Sequence, residues 1–209
     1  PQAAVAVLSG PTFASEVAQG RPTAVTLAAD DQTAGEKIIR ALGDPNFRPY
    51  LSDDIVGTQV GGAVKNVLAI ACGIAHGRML GDNARSAVIT RGVAEIGRLS
   101  LALGGKPETL MGLSGIGDLV LTCTSEQSRN YSLGVSIGAG QTLESAMSGG
   151  GSTIEGIATG ISVAKLCSQY GIEMPISCGV NSVLQDQADI ETTIAELLAR
   201  PFRAETGFR

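Results

Sequence analysis

A lysine and an asparagine, Lys65-Asn66, interrupt the stretch Gly61-Gly62-Ala63-Val64-Lys65-Asn66-Val67-Leu68-Ala69-Ile70-Ala71, which is otherwise almost free of polarity. Apolar residues recur at helical spacing (Val60, Val64, Val67, Leu68, Ala71, Ile74, Ala75), while the opposite side carries Gly61, Gly62, Ala69, Cys72 and Gly73. A helix with no polar face is normally surrounded by protein. An ammonium there is costly to desolvate, and burial lowers its pKa from about 10.4, so a lysine becomes a usable acid or base near neutral pH. Lys65 either acts in this way or extends its head to solvent along its own stem.

Other residue groups could share that chemistry. Asp118 and Thr122 are four apart, hence on one helix face, and could point jointly at a ligand or at Lys65; Asp118 could equally be an ordinary acid at a helix start. Ser128-Arg129-Asn130 opens a further helix, where free N–H donors and a planar guanidinium make either a phosphate clamp or a surface arginine beside a serine cap. Ser9-Gly10-Pro11-Thr12 is a turn between a strand end and a helix start, a usual place for ligand contacts in α/β sheets. Ser152-Thr153-Ile154-Glu155 has capping-box spacing, which gives Glu155 a structural role. His76 is the only histidine, so neither a metal site nor a Ser-His-Asp set is expected, and it reads as a structural helix residue.

Gly115 and Gly117 invite a dinucleotide-fingerprint reading that fails on context. No strand precedes them, no third glycine follows in place, and no acid lies about 20 residues on. The glycines instead let the chain turn sharply so that Asp118 opens a helix at a fixed angle.

The elements that must position these residues change character along the chain. Residues 3–8, 23–28 and 47–51 read as strands, alternating with a short helix at 13–19 capped by Thr12 and an amphipathic helix at 33–42. Three strands resemble the tail of a parallel or mixed sheet, and the chain opens inside an apolar run, so a segment is expected before residue 1. From Asp53 onward strand signals vanish. Asp53 is placed to cap a helix over 55–79, and Asp82-Asn83 one over 84–103 that Gly104-Gly105 ends. Shorter helices follow at 107–112, 119–124, 128–139 and 143–147, with a flexible break at 148–151. Helices at about 154–170 (ended by Gly171), 176–187 and 190–199 complete the pattern. The fold class is mainly α: an all-helical carboxy-terminal domain (53–209) after a partial, Rossmann-like α/β remnant (1–52).

Composition bounds the function. The 209 residues are 44% hydrophobic and 3% aromatic with 28 glycines, so the core is built from Ala, Val, Ile and Leu with closely approaching backbones. A net charge of −5 and no basic cluster argue against nucleic acid. Apolar runs are broken by Gly, Lys or Arg before the ~20 residues of a membrane span, so no membrane partner is expected. Cys72, Cys123, Cys167 and Cys178 lack CxxC pairing and read as reduced, small core residues of a cytoplasmic protein.

The segments LSGPTFASEV (8–17), GAVKNVLAIACGI (62–74), GDNARSAVITRG (81–92), GLSGIGDLVLTCTSEQSRN (112–130) and TIEG (153–156) closely resemble, in order, those of bacterial-type NAD(P)-dependent glycerol-3-phosphate dehydrogenase. The resemblance implies reversible hydride transfer between sn-glycerol 3-phosphate and dihydroxyacetone phosphate, supplying glycerol phosphate for phospholipids in the cytoplasm. It implies Lys65 as the proton acceptor, with Asn66, Asp118 and Thr122 around it and Asp118 orienting it. Gly10 and Thr12, with Ser128, Arg129 and Asn130, would hold the phosphorylated substrate. Ala14, Arg129, Thr153 and Glu155 would touch NAD or NADP, and a homodimer is possible. The family's amino-terminal glycine-rich strand-turn-helix and an upstream substrate-contacting lysine have no counterpart here, so this piece alone is expected to bind cofactor weakly and turn over poorly or not at all. The family usually has an apolar residue near Thr153, a departure at that contact. Alternatives are a related dehydrogenase for another small hydroxy acid and a non-catalytic helical dimerisation module.

Overall fold

The computed structural model describes residues 4–148 and 153–201. In chain order it comprises β1 (Ala6–Ser9), α1 (Ala14–Ala18), β2 (Thr23–Ala29), α2 (Gln32–Leu42), β3 (Phe47–Ser52), α3 (Ile55–Gly77), α4 (Gly81–Ala102), α5 (Asp118–Thr124), α6 (Arg129–Gly138), α7 (Leu143–Met147), α8 (Glu155–Tyr170), α9 (Pro175–Gln185) and α10 (Ile190–Leu198). A 3-10 turn at Pro107–Met111 and a π turn at Leu113–Gly117 join α4 to α5. The chain is mainly helical with one small sheet, the class its patterning predicts. It forms two compact units, Pro1–Gly62 with Ser100–Leu121, and Ala63–Leu99 with Thr122–Arg209.

The first unit holds a mixed sheet of order β1-β2-β3, antiparallel at β1/β2 and parallel at β2/β3. β2 is its buried strand, with Val25, Leu27, Ala28 and Ala29 in the core. Three expected caps move. α4 begins at Gly81, so Asp82 and Asn83 lie in its first turn rather than before it. Thr12 does not cap α1; its hydroxyl donates to the Gly10 carbonyl at 3.1 Å, and the residue before α1 is Phe13, with no side-chain cap. α3 is capped by Asp54 rather than Asp53. One Asp54 oxygen accepts from Gly57 N–H at 2.8 Å, and the other accepts from Lys106 N–H at 2.9 Å and from the Thr109 hydroxyl. Asp54 is buried, so it needs all three donors, whereas Asp53 is exposed and pairs with the Lys106 ammonium at 2.7 Å. The Asp53 carboxyl is held below its ordinary range by that hydrogen bond to Lys106.

In the second unit α3 is the central rod. Val67, Ile70 and Ile74 pack with Leu133 and Ile137 of α6 and with Val180 and Leu184 of α9. By length and composition α3 could cross a membrane, but 67% of its apolar window is buried within the protein, where a core helix belongs. α3 and α6 meet backbone to backbone. A Cβ at Gly134 would overlap the Ile70 carbonyl and lie 2.9 Å from Gly73 Cα. One at Gly73 would overlap the Tyr131 carbonyl, and Gly77 and Gly138 repeat the relation one turn on. Only glycine lets two helix axes approach this closely.

α9 is capped from a distance. The residue before it, Met174, offers no side-chain cap, and Glu95 of α4 takes its place, accepting from Ile176 N–H (2.6 Å), Ser177 N–H (3.0 Å) and the Ser177 hydroxyl (2.7 Å). Burial raises the Glu95 carboxyl above its ordinary 4.5, against the pull of those three donors. All four cysteines are free; Cys72, Cys123 and Cys167 are buried and Cys178 half-buried. Burial, with Cys178 adjacent, pushes the Cys167 thiol up to about 12, the behaviour of an inert core residue.

Three outcomes follow. Gly134→Ala should lose about 1–3 kcal/mol through overpacking, read from the urea midpoint. Gly160→Ala, whose Cβ would meet nothing nearer than Asn181 Oδ1 at 3.5 Å, should stay level or gain up to about 1 kcal/mol from helix propensity. Because the folded Glu95 binds its proton more tightly than the unfolded one, its contribution is full below pH 4.5 and declines as pH rises through the folded pKa. Glu95→Gln removes that titration, so the stability gap between wild type and variant should be widest below pH 4.5 and narrow towards neutrality in urea titrations run across pH.

Candidate functional site

The second unit gathers several of the candidate residues where one helix passes the starts of two others. Lys65 and Asn66 lie on α3, twelve and eleven residues before its last residue, Gly77. Lys65 is half-buried and Asn66 is 5% exposed. Ser128 caps α6, its hydroxyl accepting from Tyr131 N–H at 3.3 Å, which leaves Arg129 exposed and Asn130 buried on the first turn. α8 starts at Glu155, with Thr153 exposed just before it.

These three places are joined by a chain of hydrogen bonds. Gly156 N–H donates to Asn130 Oδ1 at 2.9 Å, Asn130 Nδ2 donates to Asn66 Oδ1 at 3.1 Å, and Asn66 Nδ2 donates to Glu155 Oε2 at 3.1 Å. The expected capping box rests on Ser152, which lies outside the described residues; the residue before α8 is Ile154, with no side-chain cap. Asn130, 26 residues upstream, satisfies an N–H of the first turn instead. Glu155 faces Asn66 rather than its own helix start. Gly156 must be glycine here, since a Cβ would come within 2.6 Å of Asn130 Oδ1 and 2.8 Å of the Asn66 carbonyl.

Behind this network Tyr131, 2% exposed, places its ring edge-on to His76 and its hydroxyl 2.5 Å from His76 Nδ1; Arg85 donates to the same hydroxyl at 3.5 Å and pairs with Asp82 at 2.8 Å. His76 thus ties the end of α3 to the start of α6. Sequence reasoning assigns no role to Tyr131, and the only available signal was its place one residue after Asn130.

The first unit holds the other candidates. Gly10 is buried at the end of β1, and Thr12 and Ala14 are exposed at the start of α1. Asp118 is 1% exposed and opens α5; Thr122 lies one turn further along the same helix, in the residues of the second unit. As expected, glycine turns the chain into α5. Gly115 takes a non-helical conformation (φ −103°, ψ −107°), and a Cβ there would overlap the Leu110 backbone. Among the described residues no cluster of His, Cys, Asp and Glu could hold a metal ion.

A small mixed sheet followed by a mainly helical region, with the polar pair Lys65-Asn66 on its central helix, defines a mainly α class with a partial α/β start. Residues 54–195 match the family described as NAD-dependent glycerol-3-phosphate dehydrogenase C-terminus, and residues 1–35 match the corresponding N-terminus. The chain belongs to the NAD-dependent glycerol-3-phosphate dehydrogenase family. It is 55% identical over 206 residues to the glycerol-3-phosphate dehydrogenase [NAD(P)+] of Parvibaculum lavamentivorans, covering 99% of this chain and 62% of that protein. The protein of the same name from Rhodospirillum rubrum is 56% identical over 207 residues, covering 99% and 59%. The crystal structure of glycerol-3-phosphate dehydrogenase from Coxiella burnetii superimposes with a TM-score of 0.92 at 46% identity, covering 95% of this chain and 61% of that one. The chain therefore spans about six tenths of these relatives' length.

Gly156→Ala should lower stability by about 1–3 kcal/mol, because the added methyl must displace the Asn130 and Asn66 acceptors of the network. Thermal and urea unfolding measure the loss.

Proposed function

We propose that this chain carries the substrate-binding and proton-transfer half of an enzyme that interconverts sn-glycerol 3-phosphate and dihydroxyacetone phosphate. The observation that carries the reading is the Asn66–Asn130 hydrogen bond, which joins the residue after Lys65 to the residue after Arg129. The bond brings together the chain positions next to Lys65 and Arg129, although the sequence separates them by 64 residues.

In this reading Arg129, Ser128 and the N–H groups that open α6 grip the phosphate. Remote binding energy then holds the secondary alcohol in place for reaction. Lys65 takes the hydroxyl proton as hydride leaves the same carbon, and returns it in the reverse direction. Asp118 and Thr122 orient the lysine, and Gly10 and Thr12 border the substrate. Ala14, Arg129, Thr153 and Glu155 would hold NAD or NADP. An exposed guanidinium, a carboxylate acceptor and a hydroxyl suit the polar faces of a dinucleotide, and when bound its nicotinamide supplies the hydride acceptor. Residues 1–52 are the tail of the nucleotide-binding region and 53–209 the helical substrate-binding region. The reading places the whole enzyme in the cytoplasm, with a homodimer as one possible assembly and neither nucleic acid nor membrane as a partner.

In the full-length enzyme Lys65→Ala should cut kcat by at least about 10²-fold, the loss of a general base, with the melting temperature nearly unchanged. Arg129→Ala should raise KM for glycerol phosphate sharply and leave that for an unphosphorylated alcohol almost unmoved. Steady-state kinetics of both variants, with circular dichroism melts, decide it: a Lys65→Ala enzyme as active as wild type would overturn the base assignment.

A further inference from the structure

The hydrogen-bond chain through Asn66 and Asn130 has a fixed sense. A backbone N–H can only donate, so Gly156 N–H compels Asn130 to turn its Oδ1 towards α8 and its amide nitrogen towards Asn66. An ionised carboxylate can only accept, so Glu155 compels Asn66 to turn its amide nitrogen outward and its Oδ1 back towards Asn130. Flipping either amide sets N–H against N–H or oxygen against oxygen. A pure donor at one end and a pure acceptor at the other leave one arrangement.

That arrangement decides what the two asparagines offer a ligand. Each Oδ1 already accepts one bond within the chain and faces its partner there, while each Nδ2 keeps a second hydrogen. The pair is therefore rich in free donors beside the α6 start, which suits an acceptor-only anion such as a phosphate dianion better than a group that must itself donate. We propose that Glu155 is a positioning residue for the phosphate cradle: through Asn66 it polarises the Asn66–Asn130 pair so that both amides turn N–H towards the substrate's phosphate. This rests on the reading of the Ser128–Asn130 helix start as the phosphate grip, to which it adds the Asn66 amide, and it gives Glu155 a task separate from any contact with the nicotinamide cofactor.

Kinetics of the full-length enzyme separate the possibilities. Losing one hydrogen bond to a charged group, Glu155→Ala should raise KM for glycerol phosphate about 5- to 20-fold while changing kcat less than about threefold. Glu155→Gln, whose carbonyl oxygen still accepts from Asn66, should bring that KM back to within about threefold of wild type. A change confined to the nicotinamide KM, or no recovery with Gln, overturns the proposal. If Asn130→Ala raises the substrate KM and Glu155→Ala does not, the polarising role falls while the cradle stands; if neither moves it, the cradle falls as well.

A second measurement reads the sense of the chain without turnover. Asn130→Asp keeps an acceptor for Gly156 but turns an oxygen to Asn66, reversing that amide and pointing its oxygen at Glu155. The single variant should melt about 3–6 °C lower, and Asn130→Asp with Glu155→Gln, which can donate to the reversed amide, should recover at least half of the loss. Strictly additive shifts would show that the chain has no fixed sense.

Discussion

The close crossing of α3 and α6 is the constraint on which the second unit depends. Gly73 and Gly77 on one helix face Gly134 and Gly138 on the other, with carbonyls lying where side chains would be. Helix axes usually stand 8–10 Å apart because side chains interdigitate between them. Removing those side chains brings main chain against main chain, and the register of one helix on the other is then set by hard contacts rather than by soft rotamers. Ile70, Ile74, Leu133 and Ile137 flank this contact and supply the apolar burial that holds it shut.

Precision at the crossing is passed on to the polar residues above it. Asn130 lies one turn before Gly134, and Asn66 lies two turns before Gly73, so the crossing fixes the distance at which they hydrogen-bond, 3.1 Å. Helix starts in this unit draw their partners from distant sequence. Asn130 satisfies the first turn of α8, and Glu95 satisfies the first turn of α9. Each cap also docks one helix on another, so a single side chain does the work of a local cap and of a tertiary contact. Buried groups of this kind cost most when left unpartnered, which makes the arrangement selective as well as stabilising.

This explains what could and could not be read from the sequence. Strands and helices followed their periodicity: β2 begins at Thr23 and β3 at Phe47 as expected, and α10 starts at Ile190. Gly171 ends α8 in the left-handed conformation that its position implies (φ +65°). Local caps with one candidate were legible, as with Ser128 before α6. The expected cap of α3, Asp53, gives way to its buried neighbour Asp54, because three donors converge on Asp54 from α3 and the segment after α4. The capping-box spacing at 152–155 rests on Ser152, outside the described residues, while α8 begins after Ile154 and Asn130, 26 residues upstream, accepts from its Gly156 N–H. Glycine spacing signalled tight packing in general, but the pairing of Gly73 with Gly134 depends on which two helices meet, and composition carries no trace of that. The candidate site was legible as residue types in family order; the bonds that orient its amides were not, since they run between positions 64 and 89 residues apart.

The same geometry leaves no room for an aromatic ring between α3 and α6. A ring between α3 and α6 would force their axes apart by several ångströms, and a hydrogen bond at 3.1 Å does not survive a displacement of even about 0.5 Å beyond its normal range. The large ring that the contact does admit, Tyr131, lies beside the crossing rather than within it: its carbonyl rests where a side chain on Gly73 would be, while its hydroxyl reaches the polar group of His76 and Arg85. A polar tip can be buried here only because those partners await it. Small residues between the helices and one capped ring at the edge thus answer a single demand, that two amides on separate helices be held to a few tenths of an ångström.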